Sequence, residues 1–171
     1  MEILPANRTE GDVRKEISRI FVDGFKVWLE YFSKDPKILS EAFCHMFNPD
    51  YFYAALNQDK KIVGIAACTD GVCKSVRLNT TELRRHLGFI KGSMASFFMK
   101  RELENHGYPF PMEPGWGAVE FVATDKDFRE SGVAFSIIRN IIETTPFSTY
   151  VLEVANTNTA DRKSTRLNSS H

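Results

Sequence analysis

One stretch, residues 121–142, constrains the fold of this chain more than any other. It reads FVATDKDFRESGVAFSIIRNII and passes from β-forming residues through a polar turn into an amphipathic helical pattern that opens at Gly132. A helix that begins in this way directs several unpaired backbone N–H groups and a partial positive charge at one point. The stretch therefore predicts a strand–turn–helix unit with an anion site, suited to phosphate, at the turn.

Small residues and one arginine support this anion site. Gly132 and Ala134 would let a ligand approach the backbone closely, and Arg129 is placed to add charge-assisted hydrogen bonds. The alternative interpretation is that Gly132 only makes a turn. The strand before it and the helix after it favour the anion site.

The rest of the pattern predicts a single domain, since 171 residues suffice for one hydrophobic core. Strands and helices in the order β-α-α-β-β-α-β-α-β predict a mixed α/β fold with two or three layers. The predicted strands are 1–6, 51–58, 61–69, 118–124 and 149–155, and the predicted helices are 12–31, 35–47, 79 or 80 to about 106, and 132–144.

Composition limits the functional classes. Lys plus Arg and Asp plus Glu number 22 each, so no net field attracts nucleic acid or an anionic membrane, and neither partner is expected. No apolar run approaches the roughly 18 residues of a membrane span, and the first residues do not resemble a signal peptide. The three cysteines lack metal or disulfide spacing, which favours reduced thiols, a cytoplasmic location and no metal site.

The segment VEFVATDKDFRESGVAFSIIRNII, followed by YVLEVANTN, resembles the acetyl-CoA-binding core of the GNAT superfamily of acyltransferases. The family signature is Gln/Arg-x-x-Gly-x-Gly/Ala, which Arg129, Gly132 and Ala134 match. The resemblance covers residues 1–160 and is most specific over 119–158. It implies the GNAT acyl-CoA N-acyltransferase fold, a mixed central sheet flanked by helices, here without the last helix and strands.

The resemblance also implies a function. Acetyl-CoA would be the donor, a primary amine on a small molecule or peptide the acceptor, and transfer would be direct within a ternary complex. The alternative is a GNAT-like domain that binds CoA without catalysis, as a sensor or interaction module. A homodimer is compatible with the resemblance.

Several cofactor contacts follow from the family pattern. The strand through Phe121, Val122 and Thr124 would pair by its backbone with the pantetheine arm, and Asn158, or alternatively Asn156, would help to hold that arm. The pyrophosphate would bind backbone amides of Arg129, Glu130, Ser131, Gly132, Val133 and Ala134. The family usually has glycine and a basic residue where this chain has Glu130 and Ser131, and the Glu130 carboxylate would repel the pyrophosphate unless it points to solvent. Because backbone amides carry most of the binding, weaker affinity for CoA is expected, without loss of the site.

Glu120 is the candidate general base. It is an acid within an apolar strand, predicted to share a face with Val122, and an acid at this strand position deprotonates the acceptor in several family members. The alternatives are a solvated Glu120 or one paired with a lysine. The aromatic residues Tyr108, Phe110 and Trp116 either line an acceptor pocket or hold their loop in place.

The last eleven residues, DRKSTRLNSSH, interrupt the helical pattern expected after 160. They match an in-frame reading of a widely used sequencing-library adapter, so residues 161–171 are interpreted as an artefactual or disordered tail. The natural protein is then expected to continue past Ala160 with a helix and further strands, including a tyrosine acid. The 171-residue chain itself is expected to be poorly soluble and to have little activity.

Overall fold

A computed structural model describes residues 1–105 and 107–152. Its strands form one five-stranded sheet in the order β1-β2-β3-β4-β5, with β1 to β4 antiparallel and β5 parallel to β4. The strands are β1 Glu2–Pro5, β2 Phe52–Leu56, β3 Ile62–Thr69, β4 Trp116–Thr124 and β5 Thr149–Leu152. The α-helices are α1 Val13–Gly24, α2 Lys26–Leu29, α3 Pro36–Phe43, α4 Thr80–Leu87, α5 Phe89–Met99 and α6 Val133–Thr144. Short 3-10 helices cover Ala6–Arg8, Cys44–Met46, Pro49–Tyr51 and Lys126–Phe128, and a π-helical turn covers Lys100–Glu104.

The order of elements confirms the predicted mixed α/β fold, but two helices differ from their predicted extents. The first helix ends at Gly24 and is followed by the short α2, where one helix to residue 31 was predicted. The predicted helix from 79 or 80 to about 106 is broken at Gly88, whose φ of 81° and ψ of 166° lie outside the helical region. The helical periodicity continues across both breaks, so periodicity alone could not locate them.

Gly92 explains why α4 and α5 pack as a tight pair. A Cβ at this position would lie 2.5 Å from the Cα of Arg84 and 2.7 Å from the carbonyl oxygen of Leu83. Only glycine allows the two backbones to approach this closely. The break at Gly88 and the contact at Gly92 together fold the predicted long helix back on itself.

Helices cover both faces of the sheet, so its central strand β3 is buried throughout, as expected for a strand with two covered faces. On one face, α1, α3 and α4 pack over a core that includes Phe21, Phe47 and Phe52, whose rings meet edge to face. On the other face, α6 packs through Val133, Ile137 and Ile141. We call these the first core and the second core.

Candidate functional site

A β-bulge interrupts β4 at the predicted site. Ala67 of β3 pairs with Glu120 and Ile65 pairs with Ala123, so Phe121 and Val122 together face only Ala66. Phe121 has a φ of 53°, which is unusual for a residue other than glycine. Bulges of this kind bend a strand, increase its twist and re-aim its side chains.

The bulge overturns the prediction that Glu120 and Val122 share a face. Val122 packs against the second core with Val119. Phe121 packs against the first core, and Glu120 pairs with Ala67, which also belongs to that core. The extra residue therefore places Glu120 and Phe121 on the α1 face and Val122 on the α6 face.

β4 continues beyond the bulge to Thr124. Its parallel pairing with β5 is described from Trp116 opposite Thr149 to Val119 opposite Leu152, which is the last described residue. Val122 and Thr124, the predicted pantetheine contacts, lie in this last part of β4 and are half-buried. Their role stays a prediction.

The end of β4 leads through a turn to the start of α6. Gly132 is the N-cap residue in a left-handed conformation, with φ 79° and ψ 9°, and no side chain of the described residues caps the helix. A Cβ built on Gly132 would meet nothing within 4 Å. The side chain of Val133 is buried in the second core. Among the predicted contacts of the helix start, Val133 can thus offer a ligand only its backbone.

The side chains of the three residues before Gly132 have different surroundings. Arg129 donates from Nη2 to the Asp23 carboxylate at 2.9 Å, which ties the turn to the end of α1. Glu130 is exposed with a φ of 60°, so its carboxylate is in solvent. The Ser131 hydroxyl donates to the carbonyl of Phe128. The charge of Arg129, which was predicted to act on an anion, is therefore partly compensated by Asp23.

Asp125 and Arg19 hold the beginning of this turn. Asp125 is 3% exposed and accepts a 2.6 Å hydrogen bond from Nη1 of Arg19 on α1. Its other carboxylate oxygen accepts from the Asp127 amide, and its own amide donates to the carbonyl of Val63. Burial by itself would raise the pKa of Asp125, but these hydrogen bonds outweigh it, so the pKa lies below the ordinary value.

Replacing Asp125 by asparagine is expected to lower the free energy of unfolding by about 1–2 kcal/mol near neutral pH. A fully buried pair would cost more, but Arg19 is 37% exposed and water replaces part of the interaction. Because the folded pKa is depressed, this contribution is complete above about pH 5 and is lost as the pH falls below about 4. Urea unfolding from pH 3 to pH 8 measures it.

The control for this prediction is Asp59→Asn, a surface aspartate in the turn between β2 and β3. It should change stability by less than about 0.5 kcal/mol at every pH. A difference between wild type and Asp125→Asn that stays constant down to pH 3 would contradict the proposed role of the ion pair.

Glu120 lies next to the bulge and is bound by two hydroxyl groups. Ser75 donates to Oε2 at 2.6 Å, and Tyr108 donates to Oε1 at 2.7 Å. Glu120 is half-buried. The sequence left open a solvated side chain or a pair with a lysine, whereas the carboxylate is bound by the hydroxyls of Ser75 and Tyr108. A carboxylate held in this way can still accept a proton, since two hydrogen bonds leave further lone pairs free.

A buried thiol lies on the neighbouring strand. Cys68 pairs with Val119 in the register of β3 and β4. Burial, with a smaller contribution from the Glu120 carboxylate, raises the pKa of Cys68 to about 11. The thiol is therefore protonated at neutral pH, which disfavours it as a nucleophile.

The fold is similar to that of solved acetyltransferases. An N-acetyltransferase from Staphylococcus aureus Mu50 superposes with a TM-score of 0.56 at 17% sequence identity, covering 98% of this chain and 88% of that one. A protein from Corynebacterium glutamicum described as histone acetyltransferase HPA2 and related acetyltransferase gives 0.57 at 20% identity, covering 96% and 82%. A third structure, described as an acetyltransferase, gives 0.50 at 16% identity, covering 98% and 87%.

These similarities confirm the fold class predicted from the sequence, a mixed sheet flanked by helices. At such low identity they establish the fold alone. Neither a protein-family model nor a curated protein sequence matches the chain. Within residues 1–105 and 107–152, no helix is long and apolar enough to cross a membrane.

Sequence reasoning missed several residues of the site. The sequence did not identify Ser75, Asp23 or Arg19. Ser75 contacts Glu120 across 45 positions of the chain. Asp23 contacts Arg129, and Arg19 contacts Asp125, across 106 positions each. Tyr108 was noted only as part of an aromatic cluster, which the structure confirms: its ring centroid lies 6.0 Å from Phe110, which lies 6.2 Å from Trp116. Asn158, its alternative Asn156, and the tail 161–171 lie outside the described residues.

Proposed function

We propose that this protein is an N-acetyltransferase that moves the acetyl group of acetyl-CoA directly to a primary amine. The observation that carries the proposal is the arrangement along β4: a carboxylate at Glu120, a bulge immediately after it, and a path along the strand to the uncapped start of α6. The similarity in fold to solved acetyltransferases supports it.

The residues at the start of α6 fit a phosphate group. Gly132 leaves open space over the first turn, and Glu130 keeps its charge in solvent. Because Arg129 already binds Asp23, most of the pyrophosphate interaction would come from the backbone amides of residues 129–134 and from the helix dipole. The pantetheine arm would then lie along Val122 and Thr124.

In the proposed reaction, Glu120 accepts a proton from the acceptor amine. The nitrogen lone pair forms a bond to the thioester carbonyl carbon, and the carbon–sulfur bond breaks with its electron pair leaving on the CoA sulfur. The proton from nitrogen ends on that sulfur or in solvent, so the products are an amide and free CoA. No covalent enzyme intermediate is needed, in keeping with the protonated Cys68.

Binding of acetyl-CoA is tested with a pair of matched glycine variants. Gly132 and Gly11 have φ values of 79° and 83°, and a Cβ on either would meet nothing within 4 Å. Asparagine tolerates this conformation, so Gly132→Asn and Gly11→Asn carry similar strain. We expect Gly132→Asn to weaken acetyl-CoA binding at least about tenfold by calorimetry, since its side chain occupies the path to the first amides. Gly11→Asn should bind as wild type does.

Turnover is tested by thiol release from acetyl-CoA with a panel of small amines and peptides. Binding with thiol release supports the enzyme. Binding without release for any acceptor would favour the CoA-binding sensor, and absence of binding would contradict both.

A further inference from the structure

We infer that Ser75 and Tyr108 are positioning residues that fix the carboxylate of Glu120 toward the acceptor amine; this inference rests on the proposed function. The two hydroxyls engage different oxygens of one carboxylate, Ser75 at Oε2 and Tyr108 at Oε1. A carboxylate bound at both oxygens has its plane and rotation fixed. The remaining lone pairs then have fixed directions, which a general base requires.

Ser75 is itself held rigidly. It is 2% exposed, and its carbonyl accepts a 2.9 Å hydrogen bond from the amide of Asn48. In the two residues that follow, Val76 forms an antiparallel bridge with Phe47 and the Arg77 amide donates to the carbonyl of Met46. The hydroxyl therefore reaches Glu120 from a backbone that is hydrogen-bonded at Ser75 and immediately after it.

Tyr108 reaches the same carboxylate from the loop before β4. Its ring contacts Phe110, which in turn contacts Trp116 at the start of β4. The aromatic chain thus connects the loop to the strand that carries Glu120. This arrangement gives the aromatic cluster a part in the chemistry, beyond either role suggested by the sequence.

The kinetic test uses Tyr108→Phe, Ser75→Ala and the double variant. We expect each single change to lower kcat about tenfold, with KM for acetyl-CoA unchanged. The double variant should lose more than either single variant. The controls remove equivalent hydroxyls elsewhere: Ser18→Ala, at a buried serine that donates to the carbonyl of Ser40, and Tyr53→Phe, at a half-buried tyrosine on β2.

Losses in kcat no larger than those of the controls would overturn the inference. A second measurement does not depend on activity. The hydroxyl protons of Tyr108 and Ser75 should appear downfield and exchange slowly in proton NMR, and Glu120→Ala should abolish both signals. If wild type releases no thiol, the proposed function fails, whereas the absence of the two signals in wild type overturns the positioning role alone.

Discussion

Replacing Glu120 by glutamine is expected to lower kcat for acetyl transfer by about 10²–10⁴-fold, the range that a positioned general base contributes. Glutamine has nearly the same shape, and its amide oxygen can still accept from a hydroxyl, but it cannot take a proton from the amine. The loss should be greatest at low pH, where the acceptor is protonated, and should shrink as the pH rises. Steady-state thiol release from pH 6 to pH 10 measures both effects.

The matched control is Glu143→Gln, which removes a surface carboxylate that pairs with Arg139 at the end of α6. Its kcat should stay within about twofold of wild type, because an exposed pair of this kind contributes little. Calorimetry should give unchanged acetyl-CoA affinity for both variants. A Glu120→Gln profile that superposes on that of wild type would exclude Glu120 as the base.

The sequence predicted those parts of the fold that have a local signal. Neighbouring residues along the chain determine the apolar runs of β2 and β3, the helical period of α6 and the turn at Gly132. All of these elements were placed correctly. Gly132 is the clearest case, because its left-handed conformation is one that glycine adopts at little cost.

The bulge in β4 could not be predicted in the same way. It depends on the pairing of two strands, and the bulged position is Phe121, where neither glycine nor proline marks the irregularity. Its conformation is stabilised by packing: the Phe121 ring lies 6.1 Å from that of Phe21 and 6.2 Å from that of Phe52, on other elements. The extra residue shifts the alternation of side chains between the two faces of the sheet by one position. Val122 therefore lies on the opposite face of the sheet from Glu120.

The partners of the site residues were hidden for a related reason. Glu120 and Arg129 were identified because their types and positions fit a known chemistry. Asp23, which binds Arg129, and Ser75, which binds Glu120, are ordinary polar residues in their own segments. Their importance arises only when the chain folds, so no local pattern identifies them.

Packing beneath the start of α6 gives the second large expected effect. Gly64 lies on β3 directly under the helix, where an added Cβ would come 2.4 Å from Cγ1 of Val133 and 3.0 Å from Cδ1 of Ile137. Gly64→Ala should therefore lower the free energy of unfolding by about 1–3 kcal/mol, as overpacking of a core usually does. Since Val133 directly follows Gly132, the displaced helix start should also bind acetyl-CoA more weakly, which calorimetry measures.

Val133→Ala provides the compensating change, because it removes the atom that the new Cβ would meet. Alone it should destabilise the protein by leaving a cavity in the second core. Combined with Gly64→Ala, it should destabilise by less than the sum of the two single changes, with a coupling of about 0.5–3 kcal/mol in urea unfolding. Part of the lost acetyl-CoA affinity should return in the double variant, since the helix start can settle back onto β3. Additive effects on stability would show that Gly64 does not set the position of α6, and the link from this contact to the proposed cofactor site would then be lost.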